Sequence, residues 1–142
     1  MPFLKYLLGF TRMSTKRNSN CFACGKDNPI GLHLKVDSRE GMAKVEFTPT
    51  SPYEGYSGYI HGGIISTLLD EVMVWAAKSL GIKAVTAELS VRFKKPVLID
   101  EPIIIDGKIT DIRKKLLYGE AFIYSEENKV LATATGKLVG ME

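Results

Sequence analysis

Two adjacent carboxylates, Asp70 and Glu71, interrupt an otherwise apolar stretch of the chain, IISTLLDEVMVWAAKSL. A carboxylate that is buried without a partner is strongly destabilising, so at least one of the two must reach a cleft, a partner or solvent. A carboxylate in a cleft can act as a general base or as a nucleophile. The alternative is that both are structural and form hydrogen bonds with neighbouring strands or across an interface.

His61, Gly62 and Gly63 stand directly before this apolar stretch. Glycine allows the backbone to approach a ligand closely. The first N–H groups of a helix have no partner within the helix, and the helix dipole places partial positive charge there. Such an end can polarise a carbonyl or hold a developing oxyanion. The alternative is that the two glycines only permit tight packing.

Gly62 and Asp70 are eight residues apart, which corresponds to about 12 Å along one helix. A single carbonyl cannot contact a backbone N–H and a carboxylate that are so far apart. Two such helices that run antiparallel across a twofold axis would place Gly62 of one chain near Asp70 of the other. The pair therefore predicts a dimer with two equivalent sites between its subunits.

The elements that must position these residues are one helix and about six strands. The helix is predicted from Gly63 to Leu80, with Gly81 as its C-terminal cap, and it is apolar nearly all round and therefore expected to be buried. Alternating apolar and polar residues predict the strands. They span residues 31–36, 42–48, 84–94, 102–111, 115–125 and 129–139, with a hairpin turn at 126–129.

The clearest strand is 84–94, in which every second residue is apolar. Its apolar face carries Val85, Ala87, Leu89, Val91 and Phe93, and its polar face carries Thr86, Glu88, Ser90, Arg92 and Lys94. This period of two is typical of a half-buried strand. Short links between strands favour antiparallel pairing. We predict an α+β fold in which an antiparallel sheet wraps around one long central helix.

Cys21 and Cys24 are the only cysteines of the chain. A structural zinc site takes four ligands, no second cysteine pair exists, and His33 is the only nearby candidate for a third ligand. Three interpretations of the two cysteines remain. They could be half of a zinc site shared between subunits, a redox pair, or part of a reduced cytosolic loop. We favour the loop and predict no metal and no cofactor.

The chain has 142 residues, which suits one domain, and a net charge of +3, which is too mild to indicate nucleic acid binding. No apolar run reaches the roughly 18–20 residues that span a bilayer, and no signal peptide is recognisable. We expect a cytoplasmic protein that does not bind membranes. Residues 1–20 are predicted to form a short helix and a polar linker, and residues 21–142 the domain.

Three segments resemble the hot-dog-fold thioesterases, above all the phenylacetate-pathway (PaaI-like) type. The helix motif comprises GYIHGG at 58–63 and TLLD at 67–70, and the strand at 86–96 and the segment CFACG…NPIGL at 21–32 are also similar. The resemblance covers roughly residues 21–139. It implies a homodimer, or a dimer of dimers, that hydrolyses acyl-CoA to the free acid and CoA, with coenzyme A present only as part of the substrate.

The resemblance also implies roles for single residues. Asp70 matches the general base or nucleophile, Gly62 matches the N–H that polarises the thioester carbonyl, and Thr86 falls where some members position water. His61 matches a residue that shapes the helix entry. Further substrate contacts are implied at Gly63, Thr67 and Glu54. Arg92, Lys94, Lys95 and Arg113 are candidates for contacts with the phosphates of CoA, and a solvated strand face is an equally good explanation of these four residues.

The sequence departs from the family at one position. Several members carry Asn or Gln six residues before the His, and this chain has Gly55 there, with Glu54 as the adjacent substitute. A module that binds acyl-CoA without hydrolysing it therefore remains an alternative. A hydratase or dehydratase on the same fold is a further alternative, although these enzymes resemble a different helix motif.

Overall fold

The computed structural model describes residues 19–141. Within that range, one antiparallel sheet of six strands has the order β1-β2-β4-β5-β6-β3. Helix α1 lies between β2 and β3 along the chain, and a short 3-10 helix precedes it. The elements are β1 (Asp37–Arg39), β2 (Met42–Phe47), the 3-10 helix (Ser51–Tyr53), α1 (Gly62–Ser79), β3 (Lys83–Phe93), β4 (Ile103–Arg113), β5 (Leu116–Ser125) and β6 (Val130–Met141).

The N-terminal helix and most of the linker predicted for residues 1–20 lie outside the described residues. In residues 19–141, no helix combines the length and the apolar character that crossing a membrane would require.

Helix α1 packs into the concave face of the sheet with one side only. Its buried apolar residues are Ile65, Leu68, Leu69, Val72, Met73, Ala76 and Ala77. Full burial of a large aliphatic side chain contributes roughly 1.5–3 kcal/mol, so this side dominates the packing energy. Thr67, Asp70 and Val74, on the other side, are only half-buried. The prediction of a buried helix is thus confirmed for the side that faces the sheet.

Both ends of α1 have defined caps. At the C-terminus, Gly81 has a φ of 79°, and its N–H donates to the carbonyl of Lys78 at 2.9 Å. The N–H of Ile82 donates to the carbonyl of Ala77 at 3.2 Å, which completes a Schellman motif. The predicted helix and its glycine cap are confirmed to within one residue at each end.

The predicted strand 31–36 is wrong. Leu32 and Leu34 are buried, as their alternation indicates. Their N–H groups, however, donate to the carbonyls of Phe22 and Ala23, at 2.8 and 2.9 Å. The segment is therefore held by the cysteine-containing loop instead of by the sheet, and the first strand is the short β1. Burial periodicity identifies a buried extended segment but not its hydrogen-bonding partner.

The predicted faces of strand 84–94 are wrong at its beginning. Thr86 lies opposite Leu138 and Glu88 lies opposite Lys137, so Ala87 is an extra residue in a β-bulge. A bulge reverses the alternation from that point. Thr86 therefore shares the inner face with the fully buried Leu138, whereas the apolar residues after the bulge keep the inner face that was predicted for them.

The depth of α1 in the sheet is set by a close contact between β4 and the helix. A Cβ atom added at Gly107 would lie 2.7 Å from Cγ2 of Val72 and 3.1 Å from its backbone carbon. A Cβ at Gly119, on β5, would instead meet the sulfur of Met73 at 3.0 Å. Only the second neighbour is a flexible side chain that can move aside.

We expect Gly107→Ala to lower the free energy of unfolding by about 1–3 kcal/mol, because the added methyl group must push the helix backbone outward. Gly119→Ala is the matched control, and its cost should be clearly smaller because Met73 can adopt another rotamer. Urea denaturation of the two variants measures the difference. Equal midpoints would contradict this account of helix depth.

Candidate functional site

Asp70 and Thr86 form the central polar contact of the half-buried side of α1. The hydroxyl of Thr86 donates to Oδ1 of Asp70 at 2.5 Å. Hydrogen bonds from hydroxyl groups to carboxylates are short and stronger than neutral ones. The β-bulge makes this contact, because without the extra residue Ala87 the side chain of Thr86 would point to the outer face. The structure thus joins two of the predicted catalytic residues.

His61 is the N-cap of α1. Its Nδ1 accepts the N–H of Gly63 at 2.8 Å, and its own backbone N–H donates to the carbonyl of Tyr53 at 2.8 Å. The ring of His61 therefore lies at the helix entry, where the sequence predicts that it shapes the start of α1. Within residues 19–141, no protein acceptor binds the N–H of Gly62. That N–H stands at the first position of the helix, where the dipole is most positive.

Gly62 lies in an open groove of about 500 Å³. Aromatic side chains form much of its wall: Tyr56 is 89% exposed, Phe93 57% and Tyr59 42%. Lys94 and Lys95 also line it. Exposed ring faces can stack on a planar group, and lysines can bind phosphate. Sequence reasoning missed the three aromatic residues, although the two tyrosines stand just before His-Gly-Gly.

The other predicted substrate contacts at this end are Thr67 and Glu54. The hydroxyl of Thr67 donates to the carbonyl of Gly63 at 3.0 Å, within the first turns of α1. Glu54 is exposed in the preceding loop, where its backbone pairs with that of Ile60. Both residues are therefore close to the helix entry along the chain, and Thr67 belongs to the half-buried side of α1.

Two predicted basic residues lie away from the groove. Arg92 pairs with Thr133 on β6. Its side chain lies on the outer face of the sheet, whereas that of the next residue, Phe93, lies on the inner face. Arg113 ends β4, where its Nε lies 2.9 Å from Oδ2 of Asp111. Of the four basic residues considered, the structure brings Lys94 and Lys95 to the groove.

The candidate catalytic groups on α1 thus lie in two separate places. The Gly62 N–H and the groove occupy the helix entry, and Asp70 with Thr86 lies about 12 Å further along the axis. Strand β3 borders both parts and is the last strand of the sheet. Its long outer edge, 11 residues, presents backbone groups that can pair with another strand.

A second polar cluster lies on another side of α1. The sulfur atoms of Cys21 and Cys24 and a carboxylate oxygen of Glu71 all lie within 4.8 Å of one another. Burial raises the pKa of the Cys21 thiol, but hydrogen bonds from the backbone of Cys24 and Ala23 and from the thiol of Cys24 outweigh it and bring this pKa below its usual value. His33, the ligand suggested by the sequence, instead places Nε2 2.6 Å from the carbonyl of Asn28.

A family model for the thioesterase superfamily matches residues 57–132. The chain belongs to this superfamily. The match includes the helix entry, all of α1 and the bulged strand β3. The predicted hot-dog fold is likewise confirmed by its likeness to solved structures, among them that of Escherichia coli PaaI with a TM-score of 0.72.

Three comparisons illustrate the similarity. Mouse acyl-coenzyme A thioesterase THEM4 is 31% identical over 80 residues, which make up 56% of this chain and 34% of that protein. The Escherichia coli acyl-coenzyme A thioesterase PaaI is 24% identical over 128 residues, 88% of this chain and 91% of that protein. A thioesterase-like protein from Streptococcus pneumoniae, solved with coenzyme A, gives a TM-score of 0.73 at 23% identity and covers 75% of this chain and 87% of that one. The chain spans only about a third of the length of the THEM4 relatives from mouse and rat.

We expect Thr86→Val to lower the free energy of unfolding by about 1–3 kcal/mol, because the valine keeps the shape of threonine but leaves Asp70 without this donor. Thr86→Ser keeps the hydroxyl and is the matched control, with a smaller loss. Chemical denaturation of both variants tests the contact. If the valine variant were as stable to denaturation as the serine variant, this hydrogen bond would contribute nothing to the free energy of unfolding.

Proposed function

We propose that the protein hydrolyses acyl-CoA thioesters to the free acid and CoA, at two equivalent sites between the subunits of a homodimer. One observation carries the proposal: an open N–H at the start of α1 and an oriented carboxylate lie on the same helix, too far apart to serve one carbonyl in one chain. Two antiparallel copies of α1 bring the N–H of one chain to the carboxylate of the other. The exposed edge of β3, which borders both groups, supports a dimer in which the two sheets continue into each other.

The thioester carbonyl oxygen accepts the hydrogen bond of the Gly62 N–H, which stabilises the negative charge that develops there. Asp70 of the partner subunit either attacks the carbonyl carbon or removes a proton from a water molecule that attacks it. The carbon–sulfur bond then breaks, the sulfur leaves with the electron pair and takes a proton, and one water is consumed in each turnover. Thr86 holds one oxygen of Asp70 and fixes the direction of the carboxylate.

The groove beside Gly62 supports coenzyme A as the carrier of the acyl group. Lys94 and Lys95 supply positive charge for its phosphates, and the exposed rings of Tyr56 and Phe93 supply surfaces for its adenine. The names of the THEM4 and PaaI relatives support the same substrate class. The cytoplasmic location expected from the sequence, and the pairing of dimers into tetramers, remain predictions.

A binding module that does not hydrolyse its ligand is the second candidate, because Gly55 stands where family members carry an amide side chain. A panel of aromatic, short-chain and long-chain acyl-CoA substrates with detection of the released thiol separates the two. Tight binding of acyl-CoA without thiol release would favour the module.

We expect Gly62→Pro to lower kcat by about 10²–10³-fold, the usual cost of removing one oxyanion donor. Proline removes the N–H that we assign to the carbonyl and places a ring carbon on that nitrogen, and it is well tolerated at the first helical position. The extended His61, with φ −62° and ψ 136°, suits a residue before proline.

Gly62→Ala is the matched control. Its Cβ would lie 3.4 Å from the Phe93 ring, an ordinary contact, and it keeps the N–H. Turnover close to wild type is therefore expected. A proline variant with an intact circular dichroism spectrum and unchanged kcat would remove Gly62 from the mechanism.

A mixed dimer tests whether the site is shared between chains. Asp70→Asn and Gly62→Pro should each abolish most activity as homodimers. A heterodimer of the two, isolated through two different affinity tags, retains one site with both groups intact. We expect about half the kcat of a doubly tagged wild-type dimer. A heterodimer as inactive as its parents would show that each site draws on one chain.

A further inference from the structure

The cluster of Cys21, Cys24 and Glu71 has no part in the proposed hydrolysis. The ligand atoms of two thiols and one buried carboxylate all lie within 4.8 Å of one another there. The thiols come from the loop before β1, and the carboxylate comes from the middle of α1. Groups that can all become negative repel each other at this separation unless protons or a cation compensate.

The loop that carries the two cysteines is tightly folded. The N–H of Gly25 donates to the carbonyl of Cys21 at 2.8 Å, and backbone groups of Ala23 and Cys24 bond to the Cys21 sulfur. A Cβ at Gly25 would lie 2.3 Å from the nitrogen of Cys21, so only glycine fits there. This turn, closed by backbone bonds to the first sulfur, holds both cysteine side chains on one side of the loop.

Glu71 is oriented by its own helix. It is 8% exposed, and its Oε1 accepts the indole N–H of Trp75, one turn later, at 2.8 Å. Lys78 lies over the Trp75 ring at 4.1 Å and holds that ring in turn. Carboxylates that bind metals are commonly oriented by such a second hydrogen bond.

We propose that Cys21, Cys24 and Glu71 of one chain bind one zinc ion, which ties the cysteine loop to α1. Two thiolates and a carboxylate are a ligand set that zinc accepts, and three protein ligands leave the fourth position for water. Ligand atoms around tetrahedral zinc lie roughly 3.3–3.8 Å apart. Side-chain movements of at most about 1.5 Å would therefore close the site from its present separations.

Within residues 19–141, no fourth Cys, His, Asp or Glu side chain joins this cluster. Residues 1–18 contain no Cys, His, Asp or Glu. Of the two histidines, His33 lies against the carbonyl of Asn28 and His61 caps α1. Water at the fourth position is therefore part of the proposal. The sequence alone predicted no metal, because the third ligand lies about 50 residues away, inside a helix.

The test uses the full chain, expressed with zinc present and purified under reducing conditions. Mass spectrometry of the metal content should find about one zinc per chain. After removal of the zinc with a chelator and reductant, titration with Co²⁺ should give thiolate-to-cobalt charge-transfer bands together with the visible bands of a tetrahedral ion. Both readouts are independent of thioesterase activity, so this proposal and the proposed function can fail separately.

The variants assign the ligands. Cys21→Ser and Cys24→Ser should each lose most of the bound zinc. Glu71→Gln keeps an acceptor for Trp75 but removes the charge of the proposed ligand. It should weaken zinc binding by at least about 10-fold, because even the loss of a residue that only orients a zinc ligand costs that much. Glu46→Gln, at an exposed position of β2, is the matched control and should bind zinc like the wild type.

Three outcomes would overturn the proposal. The first is a protein free of zinc whose two thiols react fully with a thiol reagent. The second is half a zinc per chain that is unaffected by Glu71→Gln, which would indicate four thiolates shared between subunits. The third is a Cys21–Cys24 disulfide that forms when the reduced protein is exposed to air in the presence of excess zinc, because bound zinc should protect both thiolates from oxidation.

Discussion

A single curved sheet can cover only one side of the helix that it encloses, and this constraint decides where the charged groups of the protein can lie. Apart from Glu71, every buried residue of α1 is apolar. Asp70 and Glu71 are neighbours in sequence, and successive helical residues point about 100° apart. One carboxylate therefore meets the bulged edge strand and the other meets the cysteine loop. Two adjacent residues thus enter two unrelated polar sites.

The position of α1 relative to the sheet depends on glycine residues where the helix passes closest. Gly107, Gly119 and Gly136 lie on the three neighbouring strands β4, β5 and β6, and a Cβ at each would press on Val72 or Met73. Without side chains there, the helix can sit deep against the sheet. That depth brings Asp70 level with the β3 residue Thr86. Packing in the core therefore controls the geometry of a contact on the half-buried side.

The sequence predicts the regular elements well because burial imposes a period on them. The helix, its glycine cap and five strands follow from that period. Two features escape it. The alternation at 31–36 reports burial but not the partner of the backbone. The β-bulge at Ala87 adds one residue and so reverses the side on which Thr86 lies. Alternation alone placed Thr86 on the wrong face, and only the family resemblance indicated its role.

Contacts between segments that are distant in the chain could not be predicted from the sequence either. Glu71 meets Cys21 and Cys24 only because the loop folds back over the helix, and no local pattern encodes that path. The aromatic wall of the groove likewise joins Tyr56 and Tyr59, which precede α1, with Phe93 at the end of β3. Predicting such contacts requires the register of β3 and the course of the loop, and both are determined by the tertiary structure.

Gly55 affects which groups of the proposed site can bind the carbonyl oxygen of the substrate. Its N–H donates to the carbonyl of Tyr59 at 2.9 Å, which closes the loop before the helix. A Cβ at this position would lie 3.2 Å from Cα of His61, so a larger residue would press on the helix cap. With glycine there, the loop closes tightly on His61 but offers no amide to a carbonyl oxygen. In the proposed mechanism, polarisation of the thioester would therefore depend more heavily on the Gly62 N–H, because the ring of His61 accepts the N–H of Gly63 instead.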